Sequence, residues 1–198
     1  MIQGKSSFLV VSDSHGNTAA LTAVLAWAKN AGAATGGVSG NIPALDAAIF
    51  LGDGLGDLAP ASAHTGFALP WYTVRGNVDN NTSLPGSMTL EIPESGRTAR
   101  KLFLTHGNVY RIGEGCQTLA AAARANGAEA ALYGHTHIPS CTAPDGVFLL
   151  NPGSIGRPRS NAGHTFAVLE CPAAGPLSAR FFNLTSGGRK NIIQEVKI

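Results

Sequence analysis

Gly134-His135-Thr136-His137 places two imidazoles two residues apart on a tight turn that leaves a strand. One His-x-His pair carries little by itself. Here it closes a series of polar motifs, each at the end of an apolar run: Asp13-Ser14-His15, Gly52-Asp53, Gly76-Asn77 and His106-Gly107. Together they supply seven side chains of the types that hold divalent metal: Asp13, His15, Asp53, Asn77, His106, His135 and His137. Seven donors are too many for one tetrahedral ion. They suit two adjacent cations that share a carboxylate, the arrangement that serves phosphoester hydrolysis.

Strands and helices must bring these motifs together. Short apolar runs that stop at polar residues predict buried strands over 8–13, 47–51 and 71–75. Asn17 is placed to cap an Ala/Leu-rich helix over 18–30, although substrate contact is a second reading of that residue. A short helix is expected over 58–66. Two strands, 88–92 and 101–105, flank a turn at 94–96, and a helix over 114–126 ends at Gly127 as its C-terminal cap. Further strands are expected over 130–133, 140–143, 147–150, 164–170, 179–184 and 192–197. The Gly-rich stretch 33–41 reads as a surface loop; it lacks a Gly-Lys-Ser/Thr ending and follows a helix, which argues against a phosphate cradle. Strand–helix alternation followed by short strands suggests α/β architecture, with mixed sheets and helices outside. In such folds the loops at the carboxyl ends of the strands gather into one crevice.

A chain of 198 residues, 44% of them hydrophobic, fits one domain over 1–198 with a full core. No apolar run approaches the ~20 residues that cross a bilayer, and the polar start reads as no signal peptide, so no membrane role is expected. Net charge is +2 with no Lys/Arg block, so no basic nucleic-acid patch is indicated. Only 13% of residues are charged, which tilts the expectation towards a homo-oligomer, dimer or higher, covering part of the surface. Cys116, Cys141 and Cys171 are odd in number and widely spaced, and read as reduced thiols in a cytoplasmic protein. His64 and His164 stand outside the motifs and read as structural or exposed.

The ordered set of motifs resembles the calcineurin-like metallophosphoesterases, and within them the small bacterial and archaeal phosphodiesterase branch. It runs Asp13-Ser14-His15-Gly16-Asn17, Leu51-Gly52-Asp53, Arg75-Gly76-Asn77-Val78-Asp79, Leu104-Thr105-His106-Gly107 and Tyr133-Gly134-His135-Thr136-His137-Ile138-Pro139. Asn151-Pro152-Gly153-Ser154 follows, then Arg157-Pro158-Arg159. The resemblance implies two mixed β-sheets packed face to face with helices on both outer faces, a four-layer α/β/β/α fold. It assigns Asp13, His15 and His137 to a first metal and Asn77, His106 and His135 to a second, with Asp53 bridging. It implies attack of a metal-bridging hydroxide on a small phosphoester substrate. Imidazole with carboxylate suits Mn²⁺, Fe, Ni²⁺, Zn²⁺ or Co²⁺ better than Ca²⁺, with Mn²⁺ the leading expectation.

Many family members carry His directly after the Asn of the third motif, as the proton donor to the leaving oxygen. Here Val78 stands in its place and cannot donate. A general acid is worth about 10²–10⁴-fold, so diesters or activated aryl esters are expected to react better than alkyl monoesters. Asp79 is then expected to orient ligands by hydrogen bonding. Arg157 and Arg159 have two readings of equal standing: contact with the phosphate, or a salt bridge that pins the loop. The rival function is a non-catalytic interaction scaffold of the same fold with a decayed metal site, although all seven ligand types are retained. A nuclease is a third reading, limited by the near-neutral charge to short oligonucleotides or cyclic nucleotides.

Overall fold

The computed structural model describes residues 5–31, 42–80, 83–93, 99–187 and 190–198. The expected loop at 33–41 and turn at 94–96 lie outside the described residues.

Two mixed sheets form the centre. The first has the order β11-β10-β9-β1-β2-β3. Its strands are β1 (Ser6–Val11), β2 (Ala47–Phe50), β3 (Trp71–Thr73), β9 (His164–Cys171), β10 (Ser178–Gly187) and β11 (Lys190–Val196). The second has the order β4-β5-β6-β8-β7, built from β4 (Ser87–Ile92), β5 (Arg100–Thr105), β6 (Ala130–Leu132), β7 (Ser140–Thr142) and β8 (Phe148–Asn151). β1, β2 and β3 run parallel, and so do β5, β6 and β8. The helices are α1 (Thr18–Ala31), α2 (Leu58–Thr65) and α3 (Gln117–Ala125). Among the described residues, no helix is long and apolar enough to cross a membrane.

Side-chain alternation explains the layering. On β1, Phe8 and Val10 face the second sheet and meet Leu102, Leu104, Leu132 and Leu150 in one apolar cluster. Leu9 and Val11 point the other way, onto Leu21, Val24 and Leu25 of α1. A third cluster joins Phe103, Ala131 and Leu149 of the second sheet to Leu119, Ala120 and Ala123 of α3. The four-layer expectation is thus met. β1 is apolar at successive positions because both of its faces are covered.

Cap chemistry sets the helix ends. Asn17 Oδ1 accepts the Ala20 N–H at 3.1 Å, so capping is the role the structure gives it. Gly127, at φ 66°, ends α3: its N–H reaches Arg124 O and the Ala128 N–H reaches Ala123 O, both at 2.9 Å. α3 starts three residues later than the sequence suggested. Gly115, at φ 126°, breaks the run and leaves Ile112–Glu114 as a separate 3₁₀ turn.

The motifs all follow strand ends. Asp13 comes after β1, Asp53 after β2, Asn77 after β3, His106 after β5 and His135 after β6. Gly52 and Gly76 let two of those ends touch. A Cβ on Gly52 would lie 2.7 Å from the Gly76 Cα and 2.9 Å from the Arg75 carbonyl carbon, and Gly52 has φ 93°. Backbone cannot yield as a side chain can. We expect Gly52→Ala to cost about 2 kcal/mol or more and lower the thermal midpoint by several degrees, read by circular dichroism. Gly56→Ala, with open space around its Cβ and an ordinary φ, should shift the midpoint far less.

Candidate metal centre

Left-handed backbone is concentrated in this cleft. Asp13 (φ 55°), His15 (45°), Asp53 (59°), His135 (68°) and His137 (60°) all adopt it. Among the described residues the other non-glycine positions with positive φ are Arg111 and Asp145. Such conformations cost on the order of 1 kcal/mol or more each and persist only where the surroundings hold them. Here main-chain bonds do so: Asp13 N–H to Gly52 O, His15 N–H to Asp53 O and Gly134 N–H to His106 O, each 3.0 Å. They tie the end of β1 to that of β2 and the end of β5 to that of β6.

Asp13, His15 and His137 form one cluster. Asp13 is fully buried, and its Oδ2 accepts the Ser12 hydroxyl at 2.6 Å and the His135 N–H at 3.1 Å. Its Oδ1 accepts nothing, a costly state for a buried carboxylate oxygen. That atom lies 3.1 Å from His137 Nε2 and 3.6 Å from His15 Nε2. His137 Nδ1 donates to Arg157 O at 2.6 Å, which leaves a lone pair on its Nε2. His15 Nε2 stands 3.1 Å from the same nitrogen. A cation held by all three atoms would satisfy the orphaned oxygen. The residues therefore fit a divalent metal.

His106, Asp53 and Asn77 form the second. His106 Nδ1 donates to Leu51 O at 2.8 Å, turning Nε2 towards Asp53 Oδ2 at 3.2 Å and Asn77 Oδ1 at 3.1 Å. Burial disfavours the charged imidazole, yet the bond to Asp53 and the charges of Asp13 and Asp53 outweigh it and raise the His106 pKa. For Asp53, burial pushes upward, but bonds from His106 and the Val78 N–H (2.9 Å) prevail and lower it. Asp53 Oδ2 also stands 3.7 Å from His15 Nε2, so this carboxylate faces both clusters. Burial, with Asp13 and Asp53 opposing it, lowers His15; burial and the neighbouring His106 lower His135. Ligand-type atoms of Asp13, His15 and His137 lie within 4.8 Å of one another, as do those of Asp13, Asp53 and His106. The His135 ring stands outside both groups, edge-on to His106 at 5.1 Å, and lines the cleft.

Two further carboxylates build the frame. Asp79 accepts four backbone N–H bonds, from Asp53 (2.7 Å), Gly76 (2.8 Å), Gly54 (2.9 Å) and Leu55 (3.0 Å). It thus fixes the loops that carry Asp53 and Asn77. Asp57 was not singled out from the sequence. It is buried and accepts the Ser14 hydroxyl (2.6 Å), the Thr18 hydroxyl (2.6 Å) and the Gly16 N–H (2.9 Å), anchoring the turn that holds His15. Its only sequence signal was Ser14 and Thr18, short polar side chains that need a partner when buried. Asn151, also buried, donates to Gly134 O (2.9 Å) and Thr136 Oγ1 (3.0 Å), shaping the His135–His137 turn.

The cleft has a volume of about 420 Å³, and Val78, Arg157 and Arg159 line it beside the histidines. Neither arginine has an ion-pair partner among the described residues, which favours the anion-contact reading over the pinning salt bridge. Arg157 is close enough to lower the His15 pKa by its charge. His64 is exposed and His164 donates to Ile155 O at 2.8 Å, so both stay outside the cleft.

Comparison with known proteins gives the family. Probable metallophosphoesterase YsnB of Bacillus subtilis is 29% identical over 100 residues, covering 50% of this chain and 56% of that protein. Phosphodiesterase YfcE of Escherichia coli K12 is 30% identical over 103 residues, covering 49% of this chain and 50% of its own. The chain thus spans about half the length of the curated relatives it matches. A predicted phosphoesterase structure from Streptococcus pneumoniae TIGR4 superposes with TM-score 0.67 at 26% identity, over 97% of this chain and 98% of that one. Vps29 of Entamoeba histolytica in complex with zinc shares the fold, with TM-score 0.62 at 20% identity over 96% and 98%. The family model for the calcineurin-like phosphoesterase superfamily domain matches residues 7–174, and the chain belongs to that family.

Proposed function

We propose that the chain is a single-domain phosphodiesterase that uses two divalent metal ions, Mn²⁺ foremost. Asp13, His15 and His137 would hold one ion, Asn77, His106 and His135 the other, and Asp53 both. The observation that carries the reading is the unpartnered, buried Asp13 Oδ1 turned towards two imidazole nitrogens. When bound, such ions supply Lewis acidity, polarising phosphoryl oxygens and acidifying water.

The chain's own groups do the rest. Arg157 and Arg159 present fork-shaped donors that bind and orient an anionic diester at the cleft wall. Val78 is 55% exposed and lines the cleft, while its N–H is spent on Asp53. Position 78 therefore offers no proton to a departing oxygen, and a good leaving group is required. Cysteines with no disulfide among the described residues fit a cytoplasmic setting. The relatives named phosphoesterase or phosphodiesterase support the same reaction class. A non-catalytic interaction module of this fold is the rival reading; it has no need of the two clusters that Asp13, His15 and His137 and Asp53, Asn77 and His106 form.

With Mn²⁺ bound, bis-p-nitrophenyl phosphate should be hydrolysed faster than p-nitrophenyl phosphate, and Val78→His should raise monoester turnover about tenfold. A preference for the monoester would overturn the account of position 78. Metal analysis should find two ions per chain; Asp53→Asn should bind fewer and lose at least about 100-fold in diesterase rate. A wild-type chain that binds no divalent metal would favour the interaction module. Asp79→Asn puts an amide donor against backbone donors; metal affinity or rate should fall about 10–100-fold while the far-ultraviolet circular dichroism stays native.

A further inference from the structure

A second chamber of about 350 Å³ adjoins the metal cleft. Arg75, Asn77, Asp79, Ser87, Val109 and Tyr110 are among the residues that line it. Asn77 lines both cavities, so the two spaces meet at a candidate ligand. We propose that this chamber is a substrate subsite, which takes one ester arm carrying a flat apolar body and a second negative charge paired by Arg75. The inference rests on the phosphodiesterase reading and deepens it to a class of substrate.

Charge distribution is the first ground. Lys5, Arg100, Lys101, Arg111, Arg124 and Arg180 each pair with a carboxylate elsewhere on the surface. Arg75 has no such partner among the described residues. Asp79 shares the chamber, but its oxygens are committed to four backbone N–H groups and hold the frame. Arg75 is therefore the cation in the lining, and both carboxylate oxygens beside it already accept two N–H bonds each.

The apolar rim is the second. Val109, which lines the chamber, is 69% exposed, and Val78, which lines the neighbouring cleft, is 55% exposed. Ile138, next to His137, is 47% exposed. Exposed large hydrophobic side chains around a polar site suit an organic arm better than inorganic phosphate or a sugar phosphate. Tyr110, among the lining residues, has its ring held edge-on to Phe103 at a 6.0 Å centroid distance. Ser87 and Asn108 add short hydrogen-bonding groups. Specificity then comes from the arm, while the metal clusters and Arg157 and Arg159 take the phosphoryl group.

Calorimetric titration of Mn²⁺-loaded protein with 4-phosphonobenzoate and with phenylphosphonate tests this. The two probes share a phosphonate and a ring, and only the first carries the second anion. Wild type should bind 4-phosphonobenzoate about tenfold more tightly, the worth of one charge-assisted pair. Arg75→Ala should erase that ratio and Arg75→Lys should keep part of it. Equal binding of both probes by wild type, or a ratio that survives Arg75→Ala, overturns the proposal. Failure of the phosphodiesterase reading shows separately, as absent turnover of bis-p-nitrophenyl phosphate, because the binding ratio does not depend on turnover.

Discussion

The crowding of metal-ligand-type atoms into one small volume is the constraint on which this structure turns. Asp13, Asp53, Asn77 and the histidines crowd carboxylate oxygens, an amide oxygen and imidazole nitrogens into one partly buried cleft. Nothing in chain folding favours that grouping for itself. Burial penalises each charge, and five strained backbone positions add to the cost. The two-sheet core and the outer helix contacts offset it, since tens of apolar side chains leave water there. The cleft is a place where stability has been given up, the usual mark of a site shaped for binding or chemistry.

Rigidity comes from the frame below the ligands. Each His whose Nδ1 donates to a main-chain carbonyl has its ring fixed in rotation and tautomer, as with His106 to Leu51 and His137 to Arg157. Carboxylates that never face the cleft cation sites do the same for loops. Asp79 gathers four amides, and Asp57 holds Ser14, Gly16 and Thr18. A short loop alone would let Asp53 and His15 drift apart; these anchors make their separation a property of the sheets.

Much of this was legible in the chain because buried parallel strands announce themselves as apolar runs that stop abruptly. β1, β2 and β5 did so, and the residue types after them carried the chemistry. The helix over Gln117–Ala125 was misjudged at its start because the hydrophobic pattern runs through Gly115, whereas the backbone does not. β10 and β11 extend further than their apolar residues suggested, since cross-strand pairing from Phe181–Val196 to Gly187–Lys190 sustains them. Asp57 was invisible: its partners are local in space but come from another turn. The roles of Arg157 and Arg159 were undecidable from sequence, since an exposed arginine declares its function only through what it does or does not pair with.

Val78 and the apolar rim belong to one logic. On the proposed reading, a cleft with no donor at position 78 depends on its substrate for a stable leaving group, and aryl or otherwise delocalised arms would provide one. Such arms are flat and apolar, and Val78, Val109 and Tyr110 are the surfaces that would receive them. A histidine at position 78 would relax the demand on the leaving group and would also put a polar, bulkier side chain on that wall. The same substitution that widens the chemistry would therefore narrow the apolar fit. On the proposed reading, proton donation and arm recognition compete for one residue, and Val78 gives that position to recognition.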